Sequence, residues 1–218
     1  MEPPVQHPVL TDADLPATRH LGTEELEAAL PHLRASPADE GTLTLVVRRP
    51  GPAQREVLDV GELDLVVGLV GDTWLTQGSK RTPDGSAHPD MQLNVMNDRV
   101  AELVADGRER IPLAGDQLYV DLDLSPENLP AGSRLVVGGT DGATIEVTEV
   151  PHTGCPKFVR RFGAEAMRFT NDRTGRSLRL RGLNARVVRP GTVRPGDTVR
   201  VERPPRDAAD TDPAGGAA

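Results

Sequence analysis

A mostly β fold carrying a few short peripheral helices is what this sequence predicts, on three observations. Short runs rich in β-branched residues recur along most of the chain. Clusters of Gly, Pro and Asp punctuate them, and apolar spacing of helical period is confined to brief stretches.

The elements follow in chain order. Residues 1–16 are polar and proline-rich and are expected to be flexible, and the first ten lack the basic start and long apolar run of a secretory signal. Leu26, Leu30 and Leu33 after Thr23 fit a short amphipathic helix with Thr23 as N-cap. The run TLTLVVRR at 42–49 and residues 56–60, on either side of Pro50-Gly51-Pro52, predict two strands joined by a turn. Residues 91–95 alternate as a half-buried strand does, and Asn97 can then cap a helix carrying Val100, Leu103 and Val104.

Beyond the Ala114-Gly115-Asp116 turn, residues 117–124 read as a strand, and 134–137 with 143–150 as a hairpin. The glycines of its turn, Gly138, Gly139 and Gly142, are followed by a strand rather than a helix, which excludes a nucleotide-binding fingerprint. Residues 182–189 and 198–203, separated by Pro190-Gly191 and Pro195-Gly196-Asp197, predict a closing hairpin. One domain over 17–203 results, and 204–218 hold too little apolar content to pack and are expected to be disordered.

Composition bounds the function. A net charge of −8 argues against unselective binding to nucleic acid or to an anionic membrane, and five aromatics in 218 residues give few platforms for stacking bases. No apolar stretch is long enough to span a bilayer, so a cytoplasmic location is expected. A single cysteine rules out an intramolecular disulfide, and five scattered histidines provide no zinc-site spacing. The charge is segregated: residues 152–206 hold fourteen Lys and Arg against four Asp and Glu, a net +10, leaving −18 for the rest. Either charges alternate across solvated strand faces, or the basic third builds a pocket for an anionic ligand such as a phosphate.

The chemistry concentrates at His152-Thr153-Gly154-Cys155-Pro156-Lys157-Phe158. Proline favours the first helical position, which puts Cys155 at the N-cap, where free backbone N–H groups and the helix dipole stabilise a negative sulfur. Lys157, Arg160 and Arg161 add positive charge nearby. A thiolate is both a nucleophile and a metal ligand, whereas a free cysteine of no chemical role is commonly a small buried hydrophobe. His152 is a candidate base for Cys155, or simply an exposed histidine.

Several segments in order, Gly68-Leu69-Val70-Gly71-Asp72, Met91-Gln92-Leu93-Asn94-Val95, Pro130-Ala131-Gly132-Ser133-Arg134-Leu135, Thr153-Gly154-Cys155, Arg181-Gly182-Leu183-Asn184-Ala185-Arg186 and Gly191-Thr192-Val193-Arg194-Pro195-Gly196-Asp197, resemble the MOSC domain of molybdenum cofactor sulfurases and amidoxime-reducing components. The chain departs from many relatives in having Trp74 where a histidine follows the Gly-Asp pair, and Met91 where an arginine opens the middle strand. The resemblance implies a MOSC-like β-barrel and a cysteine that ligates molybdenum or carries sulfur, here Cys155. It implies a molybdenum cofactor, a molybdopterin, as the anionic small-molecule partner. Asn94, Arg181, Asn184 and Arg186 would then reach into its pocket, with Arg181 and Arg186 foremost because a guanidinium fork suits phosphate. Lys157 and Arg160 would add charge, and Asp72 would line the wall; otherwise Asp72 is a turn residue, Trp74 a core anchor and the strand polar groups outward-facing.

Two activities follow from the resemblance. One is reduction of N-oxygenated substrates with electrons from a separate reductase, since no flavin, nicotinamide or iron–sulfur motif is present. The other is a non-catalytic role, as a persulfide carrier loaded by a cysteine desulfurase or as a module binding an anionic ligand.

Overall fold

The computed structural model describes residues 8–11, 13–14 and 19–205. In chain order the elements are β1 (Val9–Leu10), α1 (Thr23–Ala28), α2 (Leu30–Arg34), β2 (Glu40–Arg48), β3 (Arg55–Leu58), β4 (Gly61–Asp64) and β5 (Gly68–Leu69). There follow α3 (Trp74–Gln77), β6 (Leu93–Asn97), α4 (Asp98–Ala105), β7 (Leu118–Asp121), β8 (Arg134–Val137) and β9 (Ala143–Val147). The chain continues through α5 (Pro156–Asn171), α6 (Arg173–Ser177), β10 (Leu183–Arg189), β11 (Gly191–Val193) and β12 (Thr198–Glu202).

Seven strands close into a barrel in the order β2-β12-β8-β9-β10-β6-β7 and back to β2. Every neighbouring pair in the ring is antiparallel except β6 and β7, whose parallel pairing is bridged by α4. Closure is possible because β2 is long: Glu40–Thr42 pair with β12, Thr42–Val46 with β7 and Val46–Arg48 with β3. A closed ring leaves no unpaired barrel edge. A small sheet, β11-β4-β5, contributes Leu63, Leu69 and Val193 to the same core.

Alternation along the strands makes two apolar layers. Leu93 and Val95 of β6, Ile145 and Val147 of β9, and Leu183, Ala185 and Val187 of β10 fill the barrel. On the outside, Val47, Met96 and Tyr119 meet Val100 and Val104 of α4 and Phe158, Phe162 and Phe169 of α5. Polar residues between these outer positions are therefore trapped between barrel and helices, and that layer forms the site.

The mostly β, barrel-like architecture with short outer helices agrees with the sequence reading, and Asn97 caps α4 as expected, its carboxamide oxygen accepting the Val100 N–H at 3.2 Å. Four details differ. The first helix is capped by Gly22 rather than Thr23, which is already helical and gives its hydroxyl to Glu165. It also breaks at Ala29, because Pro31 has no N–H to offer the Glu27 carbonyl. The strand read from Met91 starts at Leu93, since Pro89 opens a 3-10 turn through Met91 in which His88 accepts the Asp90 N–H. The closing hairpin does not form: β10 pairs with β6 and β9, and β12 with β2 and β8, because the intervening β11 crosses over to β4.

Most of 1–16 and nearly all of 204–218, the segments expected to be flexible, lie outside the described residues; within the former, Val9 and Leu10 pair with Glu56 and Arg55. Among the described residues no helix is long and apolar enough to cross a membrane.

Candidate functional site

Pro156 starts α5, and Cys155 occupies its N-cap in extended conformation, with its carbonyl accepting the Phe158 N–H at 2.8 Å. The Cys155 side chain makes no cap hydrogen bond and is exposed. The turn ahead of it is pinned to the far end of the same helix, where Asn171 accepts the Gly154 N–H at 3.3 Å. This is geometrically possible because α5 breaks at Gly163 (φ 91°), a conformation that a side chain at this position would strain. Phe158 and Phe162 pack edge to face at 4.8 Å, and the Arg181 guanidinium lies 5.0 Å from the Phe158 ring centre. The start of the helix is thereby clamped from beneath.

Cys155 opens onto a cavity of about 610 Å³ between the barrel's outer face and α5. Among the described residues six cations line it, Arg49, Arg55, Arg81, Lys157, Arg161 and Arg181, and no Asp or Glu does. Two carboxylates stand behind this wall, each fully buried. Asp72 accepts Nε and Nη2 of Arg49 at 2.8 and 2.7 Å, together with the Trp74 N–H. Asp116 accepts Arg181 at 2.8 and 3.0 Å and His152 Nε2 at 2.8 Å. With six positive groups in front and two negative ones behind, the cavity presents a positively charged face with donors held in place.

The floor is a polar chain that runs from the end of β2 across β6 and β10. Arg49 donates to Asn94, Asn94 to Asn184 at 2.6 Å, and Asn184 to the Val150 carbonyl at 3.0 Å. Gln117 joins it by accepting the Asn94 N–H at 2.8 Å. Arg181 is aimed by the glycine after it: at φ 97°, with an ideal Cβ only 2.2 Å from the Val95 carbonyl oxygen, position 182 admits no side chain. The Nε of Arg181 is buried without a hydrogen-bond partner among the described residues.

Burial alone raises the Asp116 carboxyl, but Arg181 and His152 override it and hold the group below its ordinary range. His152 moves down as well, from burial first and Arg181 second, outweighing the pull of Asp116. It is therefore a neutral imidazole at neutral pH, giving its Nε2–H to Asp116 and keeping Nδ1 as an acceptor.

Among the residues singled out from sequence, Cys155, His152, Lys157, Arg181 and Asn94 line this cavity. Asp72 and Asn184 lie behind it in the supporting network. Trp74 sits at the start of α3 and is not part of the wall. Arg160 is exposed on α5 but outside the lining. Arg186 is not brought to the site: it is about half exposed and bound to Glu146 and Asp90 at 2.7 and 3.2 Å. It shares the outer face of β10 with Asn184, but the Val150 segment covers only the latter.

Sequence reasoning missed Arg49, Arg55, Arg81 and Asp116. The first three come from the acidic part of the chain, and the partners of Arg49 and Arg181 are 23 and 65 positions away, so no local spacing announces them. Among the described residues no group of three or more His, Cys, Asp or Glu side chains is placed to hold a metal ion. A metal beside Cys155 must bring most of its own ligands.

Comparison with known proteins places these features in context. The family model of the MOSC domain matches residues 87–200. A search of curated proteins finds no match. Among solved structures, the YuaD protein from Bacillus subtilis is similar at a TM-score of 0.56 and 18% identity, covering 74% of this chain and 95% of that one. A hypothetical protein aligns at a TM-score of 0.50 and 20% identity over 75% and 68% of the two chains. YiiM from Escherichia coli aligns at 0.48 and 20% identity over 76% and 72%. At these identities the likeness to YuaD is one of fold.

Proposed function

Because the chain belongs to the MOSC domain family, we propose that the cavity beside Cys155 binds a molybdenum cofactor, with the Cys155 sulfur as the protein's ligand to the metal. The observation that carries this reading is the coincidence of the only thiol with six lining cations and no lining acid. The donor set fits a phosphate-bearing pterin: Cys155 would hold its metal, and the lining guanidinium and ammonium groups would meet its phosphate. A buried arginine nitrogen without a partner supports the same fit.

Such a cofactor supplies, when bound, two-electron redox chemistry of the kind that reduces N-oxygenated substrates. The chain's own residues bind and orient. Arg81 and Lys157, neither of which has a side-chain partner among the described residues, pair with the anionic group. Arg49 and Arg181 are held in place by Asp72 and Asp116, so their remaining faces are presented without reorganisation. His152 lines the cavity and, with Nε2–H given to Asp116, keeps Nδ1 as a proton acceptor. A separate reductase provides the electrons.

The test is molybdenum analysis of protein purified under reducing conditions from a host that makes the cofactor, comparing wild type with Cys155→Ser. Near-stoichiometric metal in the first and little in the second is expected; metal-free wild type rejects the reading.

The exposure of Cys155 favours a second reading, a sulfur carrier. A cysteine desulfurase persulfide would pass its outer sulfur to the Cys155 thiolate, leaving a persulfide here and a thiolate on the donor. Intact mass after incubation with a desulfurase and cysteine would rise by one sulfur, and the rise would vanish in Cys155→Ser.

A further inference from the structure

Pro151, His152, Thr153 and Arg181 line not only the Cys155 cavity but also a second one of about 370 Å³. This segment is a wall with space on both sides. Arg176 and Arg179 line the second cavity, and the one acid there, Glu149, is exposed.

Arg179 stands where a side chain is least welcome. Two hydrogen bonds end α6, from Leu180 N–H to the Gly175 carbonyl at 2.8 Å and from Arg179 N–H to the Arg176 carbonyl at 3.2 Å. In this termination the residue after the cap turns left-handed and is usually glycine, yet here it is an arginine at φ 47°. Its Nη1 donates to the Leu129 carbonyl at 2.6 Å and more weakly to that of Leu124, which uses one of its three nitrogens and none of its charge. No carboxylate pairs with it among the described residues, and burial alone pushes the guanidinium below its ordinary value. Arg176 is exposed and likewise has no side-chain partner among the described residues. A half-buried cation kept in a strained backbone position without a counter-charge is costly unless something anionic completes it.

We propose that this second cavity is an anion-binding site, distinct from the one beside Cys155, in which Arg176 and Arg179 hold a small oxyanion of the phosphate or carboxylate class. Two guanidinium forks converging on one cavity suit such planar or tetrahedral oxygens. His152 and Arg181 form a wall that the two cavities share. The site stands independently of any cofactor.

The experiment is titration of the full chain with inorganic phosphate, and separately with acetate, followed by amide resonances in NMR spectra. Gly175 and Gly182 report on the second cavity, and Gly51 and Gly115 on the first. Phosphate is expected to shift both sets saturably, and whichever of phosphate and acetate shifts Gly175 and Gly182 at the lower concentration identifies the class of occupant. Arg176→Gln, an exposed change that spares the fold, should raise the midpoint for Gly175 and Gly182 at least tenfold while leaving that for Gly51 and Gly115. Arg179→Gly, which relieves the backbone, should do the same. The proposal is overturned if only the first set shifts with either anion, or if the second set titrates identically in folded Arg176→Gln. A chain purified from a cofactor-making host that contains no molybdenum yet shows the Arg176-dependent midpoint would reject the cofactor reading and leave this one standing.

Discussion

Replacing Asp116 by asparagine tests whether the site is held by one buried charge. The carboxylate is wholly inaccessible and receives Arg181 at 2.8 and 3.0 Å and His152 at 2.8 Å. The amide has nearly the same shape, so no cavity opens, but it cannot neutralise Arg181, whose own side chain is only 7% exposed. Stranding a buried partner of an ion pair costs about 3–5 kcal/mol. In a domain of this size each kcal/mol moves Tm by about 2–4 °C, so a fall of about 6–20 °C is expected. Urea unfolding read by far-ultraviolet circular dichroism gives the free energy directly. The double variant Asp116→Asn/Arg181→Met removes both charges and should recover a large part of the loss, because the cost lies in the orphaned cation rather than in the missing bond. A single variant within about 0.5 kcal/mol of wild type, or a double variant no better than the single, would refute this account of the site's stability.

Four other outcomes follow from the same structure. His152 is lowered by folding, so unfolding takes up a proton once the pH drops below the ordinary histidine value of about 6.5; stability therefore declines as pH falls from there, and His152→Gln should flatten that slope in urea titrations between about pH 6.5 and 5. Asp116 is also lowered, so its contribution is present above about pH 3.9 and lost at still lower pH, a later stage that the Asp116→Asn variant should lack. Gly154→Ala would put a methyl group 2.2 Å from the Met167 sulfur and 3.0 Å from Asn171 Nδ2, costing about 1–3 kcal/mol in the same unfolding assay, and Met167→Ala in the same chain should restore most of it. Arg81→Gln, at an exposed position without an ion pair among the described residues, should leave stability within about 0.5 kcal/mol while weakening phosphate binding several-fold at Gly51 and Gly115; unchanged binding would remove Arg81 from the anion site.

The strands were legible because their signals are local: β-branched runs bounded by Gly, Pro and Asp recur at β2, β8, β9, β10 and β12. So was the Cys155 N-cap, since Pro156 fixes a helix start by its own chemistry. Partner choice was not local. Nothing in residues 182–203 says that the three residues of β11 will pair with β4 and so keep β10 and β12 apart. The site suffered in the same way: Asn184 and Arg186 look alike on one strand face, and only the Val150 segment laid over Asn184 decides that one supports the cavity while the other faces solvent. The basic C-terminal third supplies Lys157, Arg161 and Arg181 to the cation-lined cavity, but the other half of its cations come from the acidic remainder of the chain, an arrangement that charge counted along the sequence conceals.

The position of β2 has a kinetic consequence. Its first residues pair with β12, so that Glu40 lies against Arg200 and Thr42 against Thr198, and its middle pairs with β7 some 75 residues downstream. Contacts between such distant parts of a chain must overcome large loop-closure entropies before any energy is returned, so the ring should form slowly for its size. During synthesis β2 and β8 wait with open edges until the last strand emerges, and in that interval they can pair with other nascent chains. Loss of residues 198–202 would make that transient state permanent, turning a domain without barrel edges into one prone to self-association.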